Sequence, residues 1–373
     1  MIYLDYSAHT PADESVLAAF CEAERRFTGN ANSVHAVGSA AREEMARITD
    51  SIAAMLGVLP SEIIYTSGAS EANNTAIRGV AYAERHVGKH IIASALDHAS
   101  VGAALTHLQE RGYEVDLVGI GRDGKIDLDS LSSLLRKDTT MVIVTAVDSE
   151  LGTIQPLEPI HELLKGYPHC RLHVDATQAI GKIPFSFEYA DTACFAPHKF
   201  YGLCGTGILI KKRDVDMEPL IYGGAGTTLY RSGTPTVGLA ASTEKALSLA
   251  VERLDGQFCR VEKLNRTLRD FFARYPKVRI NSPSDAVPHI LNISADGVRG
   301  VKFRDALNQH GVCVSVKSAC SSDGLPSRAV LAVSGDRKNA LSSFRISLGA
   351  VTTEEEIEQF QTIFDLCYRE LTT

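Results

Sequence analysis

At 373 residues, with 45% hydrophobic and 22% charged side chains, the chain suits one large domain and a smaller one. That composition excludes disorder and disulfide-rich scaffolds, and a net charge of −7 without a basic block argues against nucleic-acid binding as the main activity. No apolar run approaches about 18 residues, and no charged-then-apolar leader opens the chain. The eight cysteines show no C-x-x-C spacing, so they predict reduced thiols in a cytoplasmic protein.

In chain order, Ile63 to Ser67 reads as a strand, followed by Gly68-Ala69-Ser70-Glu71 and an alanine-rich helix to about Arg85. His90 to Leu96 and Val115 to Ile120 repeat the strand-then-helix theme. Met141 to Val147, Arg171 to Asp175, Thr192 to Ala196 and Gly207 to Lys211 follow as strands. Such alternation predicts an α/β fold with a mostly parallel sheet covered by helices. Residues 222 to 238 are loop material, and a long helix is expected from about Gly238 to Tyr275. Beyond it come strands at Leu291 to Ser294, Cys313 to Val316 and Phe344 to Ser347, with a helix at Phe303 to Gln309. Thr353 and Glu356 have capping-box spacing. The expected division is a large α/β domain over 13–254 and a small α+β domain over 255–373, with 1–12 packed on the latter.

Ligands of open parallel sheets bind beyond the carboxyl ends of the strands. Four segments place polar residues there. Thr66 to Glu71 joins a strand to a helix through a small turn. Its free N–H groups and the Ser70 hydroxyl form an anion site, or Ser67 and Ser70 merely cap the helix. Asp175 ends an apolar strand and needs a partner, such as a cationic ring nitrogen, unless it is an ordinary turn aspartate. Lys199, in Phe195-Ala196-Pro197-His198-Lys199-Phe200, becomes a Schiff-base candidate if buried, and is otherwise a loop lysine. Cys320 sits in Ser315 to Gly324, a polar stretch near Lys317 and Arg328 that favours a thiolate, or it is an unremarkable loop residue. Cys204 is the other loop thiol. In this order, an anion cup, an aspartate, a lysine and a late cysteine converge on pyridoxal 5'-phosphate (PLP) chemistry.

The sequence resembles the cysteine desulfurases, fold-type I PLP enzymes of the class V aminotransferase group, of the kind that serves iron–sulfur cluster assembly. The resemblance runs from Tyr3-Leu4-Asp5-Tyr6 to Ser347-Leu348-Gly349. It is carried by Gly29-Asn30-Ala31-Asn32-Ser33, Thr66 to Glu71, His173 to Gln178, Pro197-His198-Lys199, Arg231-Ser232-Gly233-Thr234 and Ser318-Ala319-Cys320-Ser321. It implies that Lys199 holds the cofactor and then acts as base, that Asp175 meets the ring nitrogen, and that Gln178 meets the ring hydroxyl. His98 would stack on the ring and assist proton transfer as a catalytic residue. Ala69, Ser70 and His198 would hold the phosphate, with Thr234 supplied by the other subunit of a homodimer. Arg345 and Asn30 would bind substrate, and Cys320 would take the sulfur as a persulfide and pass it to an acceptor protein. No metal is implied.

Two positions depart from the family pattern. Ser149 stands where an asparagine near the ring is usual, and Ala196 replaces a phosphate-binding serine three residues before the lysine. Lys317 also replaces a common glycine. These changes keep open a related PLP lyase acting on selenocysteine or cysteine sulfinate, or a degenerate scaffold for sulfur transfer.

Overall fold

The structure, a computed structural model, describes residues 1–224, 228–317 and 325–372. In chain order it runs β1 (Ile2–Tyr3), α1 (Glu14–Arg26), α2 (Ala36–Leu56), β2 (Ile63–Thr66), α3 (Ala69–Ala83), β3 (His90–Ser94) and α4 (Ala99–Gln109). Then come β4 (Glu114–Val118), α5 (Leu128–Leu134), β5 (Thr139–Thr145), α6 (Leu157–Leu164), β6 (Arg171–Asp175), β7 (Thr192–Phe195) and β8 (Gly207–Lys211). The 36-residue α7 (Val237–Phe272) leads to β9 (Val278–Ile280), β10 (Ile290–Ala295), α8 (Gly300–Gln309) and β11 (Val312–Cys313). Last come α9 (Arg328–Ser334), α10 (Arg337–Ser342), β12 (Ser343–Ser347) and α11 (Glu354–Thr372).

Seven strands form the main sheet in the order β2-β8-β7-β6-β5-β3-β4. The pairs from β7 through β4 are parallel, and β8 runs antiparallel to both β7 and β2. Every residue of β5, β7 and β8 is buried, as continuously apolar strands covered on both faces require. One core packs α1, α2, α6 and the first part of α7 on one face. Residues of α3 and α4 form the core on the other. A third core joins the end of α7, α8, β10, β12 and α11, and takes in Ile2 and Leu4. Within it Phe271, Phe272, Phe303, Phe344, Phe360 and Phe364 meet in edge, stacked and tilted contacts with centroids 4.9 to 6.3 Å apart. Each such pair adds about 0.5–1.5 kcal/mol beyond its buried area.

The N-terminal strand β1 pairs in parallel with β11, and β9, β10 and β12 form a separate antiparallel sheet. The capping box at the start of α11 is present. The Thr353 N–H donates to Glu356 Oε2 at 3.0 Å, and the Glu356 N–H donates to Thr353 Oγ1 at 3.1 Å. Helices α1 and α2 have no counterpart in the sequence reading. The first is ended by its own pattern, an Asp13 cap with Arg25 and Arg26 in the last turn, and the second by Gly57 at φ 67°.

Candidate functional site

Strands β3, β5, β6 and β7 run parallel, so their carboxyl ends open on one side. A cavity of about 360 Å³ lies there. Its lining includes Ser67, Gly68, Ala69 and Ser70, then His98, Ser149, Asp175, Gln178, His198, Lys199 and Arg345.

The turn between β2 and α3 forms one wall. Gly68 has φ 155°, a conformation that favours glycine, and Gly207 of β8 approaches it so closely that a Cβ would lie 2.6 Å from the Gly68 backbone. The first turn of α3 leaves N–H groups that no helix carbonyl satisfies, so Ala69 and Ser70 present an anion-binding end to the cavity. Glu71 turns aside. Burial alone would raise its pKa, but bonds from Arg231 Nε at 2.9 Å and the Ser67 N–H at 2.8 Å hold it below the ordinary value.

Asp175 closes β6 and is 5% exposed. Its carboxylate accepts from Asn73 Nδ2 at 2.8 Å and from the Thr177 N–H at 3.0 Å. The same Asn73 amide donates to Ser100 Oγ at 2.9 Å. Ser100 Oγ lies 2.9 Å from His98 Nδ1, which also accepts the Ser100 N–H at 3.1 Å. With Nδ1 accepting, the His98 proton belongs on Nε2. Burial, reinforced by the charges of Lys199 and Arg328, lowers the His98 pKa, so the ring is held neutral. Asn73 Oδ1 accepts from His173 Nε2 at 2.9 Å. Fully buried on α3, Asn73 therefore links the aspartate, the histidine and the sheet. The sequence reading missed it; its signal was an asparagine in an otherwise alanine-rich helix, where asparagine is a poor former.

Lys199 follows β7 on a short turn, and its Nζ donates to the carbonyls of Ser7 and Ala8 at 2.9 and 2.7 Å. Burial, then the charge of Lys199, pushes the His198 pKa down to about 4. Ser149 lines the cavity, and its carbonyl accepts from Arg345 Nη1 at 2.7 Å. Arg345, 1% exposed, also pairs through Nη2 with Asp5 at 2.7 Å. The guanidinium is thereby aimed, with its Nε left buried and without a partner among the described residues. Ala196 is fully buried and does not line the cavity. Asn30 and Thr234 are not brought in either. Asn30 is exposed and accepts the Asn32 N–H at 2.9 Å, and Thr234 lies on a surface groove with Arg231. Cys320 lies outside the described residues. Cys204 is exposed, with its sulfur 3.6 Å from His9 Nδ1.

Asp97, next to His98, has a carboxyl that accepts the Ser94 N–H at 2.8 Å through Oδ2, while Oδ1 is buried without a partner among the described residues. Burial, with the charge of Asp175, raises its pKa from 3.8 to about 8. The folded state therefore binds this proton more tightly than the unfolded chain. The stability linked to it is complete below pH 3.8 and lost as the pH rises through about 8. Asp97→Asn removes that slope. Its melting temperature relative to the wild type should climb between pH 5 and pH 8 by about 2 °C or more in thermal unfolding; a difference independent of pH would contradict the neutral carboxyl.

Comparison with known proteins agrees with this architecture. The family model for aminotransferase class-V matches residues 2–360. A NifS/IcsS protein homolog of Lactobacillus delbrueckii subsp. bulgaricus is 36% identical, over 99% of this chain and 97% of that protein. The cysteine desulfurase IscS of Dictyoglomus turgidum is 35% identical, over 100% and 95%. Among solved structures, a NifS-like protein superposes with a TM-score of 0.92 at 33% identity, covering 98% of each chain. SspA in complex with cysteine gives 0.82 at 25% identity, covering 95% of this chain and 100% of that one. With a family match along most of its length and relatives of this similarity, the chain belongs to the class-V aminotransferase family, in its NifS/IscS cysteine desulfurase group.

Proposed function

We propose that the protein is a PLP-dependent L-cysteine desulfurase that forms L-alanine and a persulfide on Cys320. The observation that carries this reading is the convergence of Lys199, Asp175, His98 and Arg345 on one cavity beside the α3 N-terminus. The family is PLP-dependent, and the cavity fits that cofactor. Among the described residues, Ser7 Oγ, Thr177 Oγ1 and Arg345 Nε are buried there without partners, which is unusual unless a polar guest supplies them.

The Ala69 and Ser70 N–H groups and His198 would hold the phosphate, Asp175 the ring nitrogen, and Gln178 and Ser149 the ring-oxygen side. Bound PLP supplies an electron sink for the substrate α-carbon. The chain's own groups do the rest. His98 presents a neutral ring to the cavity. Lys199 takes the α-proton on Nζ. Arg345 orients the substrate carboxylate. The Cys320 thiolate accepts the sulfur. The substrate C–S bond breaks, its β-carbon gains a proton and becomes a methyl group, and an S–S bond forms on Cys320. Carbon is reduced as sulfur is oxidised, so no external oxidant is needed.

Residues 13–254 form the cofactor-binding unit in this reading, and 255–373 with 1–12 the smaller one. The pairing of β1 with β11 and the core shared by Ile2, Leu4 and Phe344 support that division. The exposed Thr234 is assigned to the cavity of a second copy in a homodimer. A sulfur-acceptor protein for iron–sulfur cluster or thiolation chemistry takes the persulfide. The unpaired cysteines at 21, 170, 194, 204, 259, 313 and 367 support a reducing, cytoplasmic setting. Among the described residues no helix is long and apolar enough to cross a membrane.

Incubation with PLP and L-cysteine should give alanine and protein-bound persulfide in step. Protein that takes up PLP yet makes no alanine overturns the reading. Asp175→Asn keeps the shape and removes the charge. It should weaken PLP binding about 10- to 100-fold by absorbance titration, the scale of a lost hydrogen bond to a charged group.

A further inference from the structure

We propose that Lys182 is a positioning residue: from outside the cavity it fixes the Gln178 amide so that an N–H edge faces the cofactor pocket. The inference rests on the PLP reading above.

Lys182 lies four residues after Gln178 in the turns that follow β6, is 5% exposed, and does not line the cavity. Its Nζ donates to Gln178 Oε1. Gln178 Nε2 donates to the Ser7 carbonyl at 2.9 Å, and that same carbonyl accepts from Lys199 Nζ at 2.9 Å. Amine, amide, carbonyl and amine thus form one chain from Lys182 to the lysine of the site. An amide side chain can be turned by 180° with little change in shape. Here both neighbours select one orientation. The Ser7 carbonyl can only accept, and a turned amide would set oxygen against oxygen. Lys182 supplies the matching donor on the other side. Gln178 is left with one further N–H for the cavity it lines.

The placement is costly. No carboxylate pairs with Lys182 among the described residues. Burial first, then the positive charges of Lys199 and Arg345, lowers its pKa well below the ordinary lysine value. An apolar side chain would occupy this site without the desolvation penalty. A polar group retained at such cost, with an amide of the pocket as its hydrogen-bond partner, has a task there.

The test is a double-mutant cycle read on the PLP dissociation constant of the full chain, by visible absorbance. Lys182→Met should weaken binding about tenfold, while the melting temperature of the cofactor-free protein stays equal or rises. In a Gln178→Leu background, Lys182→Met should change the constant less than twofold, since the amide it acts through is gone. A full additional factor in that background, or an unchanged constant in the single variant, overturns the role of Lys182. Lys182→Leu runs the same cycle should the methionine variant fail to fold. A wild-type protein that takes up no PLP overturns the cofactor reading itself, and is told apart from additive variants of a protein that does.

Discussion

Lys199→Ala should lower alanine formation from L-cysteine by at least about 10³-fold, with PLP saturating. Lys199 carries the only lysine amine among the described residues lining the cavity, and its Nζ is held by the carbonyls of Ser7 and Ala8 at 2.9 and 2.7 Å. In the proposed mechanism it would have two tasks, covalent attachment of the cofactor and removal of the α-proton. A positioned base alone contributes about 10²–10⁴-fold, and no neighbour replaces it. His98 is held neutral, but its accepting nitrogen is occupied by Ser100. His198 is neutral and stacks on His9 with centroids 5.8 Å apart. Lys199→Arg is the control. It keeps the positive charge but neither attaches the cofactor nor gives up its proton, so it should be as inactive as the alanine variant. Alanine formation within tenfold of wild type in either variant would remove Lys199 from the proposed chemistry.

Cys320→Ala should abolish protein-bound persulfide and lower alanine formation about 10²-fold or more, the scale of a lost catalytic group. A desulfurase needs a thiolate to receive sulfur, and Lys317 and Arg328 near Cys320 in sequence favour one. The described residues on both sides of segment 318–324 attach beside the cavity. Ser315 Oγ donates to Asp5 Oδ2 at 2.8 Å, and Asp5 in turn holds Arg345. On the other side Ser327 Oγ donates to Glu150, next to Ser149, and Arg328 Nη2 donates to the Asp97 carbonyl at 3.4 Å, next to His98. Buried cysteines are poor substitutes, because burial pushes the Cys170 thiol up to about 12 and the Cys194 thiol well above its ordinary value. Undiminished sulfide release from cysteine by Cys320→Ala would favour a lyase that breaks the bond without thiol attack.

Much of the candidate site was legible because its parts are short motifs at strand ends. Thr66 to Glu71, His173 to Gln178 and Pro197 to Lys199 each combine a β-rich run with a small or polar turn, and a parallel sheet opens such turns on one side. What supports those parts was not legible. Asn73 reaches Asp175 across 102 positions, and Asp5 reaches Arg345 across 340. Lys182 is near Gln178 in sequence, yet nothing local shows that it is buried with no carboxylate partner among the described residues.

By itself, then, the sequence determined the alternation of strands and helices, the order of the motifs, and the cofactor chemistry that those residue types allow. Such features depend on period and on neighbours within a few residues. Only the tertiary structure decided that burial raises the Asp97 pKa, which amide edge faces the cavity, how Arg345 is aimed, and that Asn30 and Thr234 lie outside this chain's own cavity. Desolvation and hydrogen-bond pairing settle those points, and both depend on groups that only the folded chain brings together.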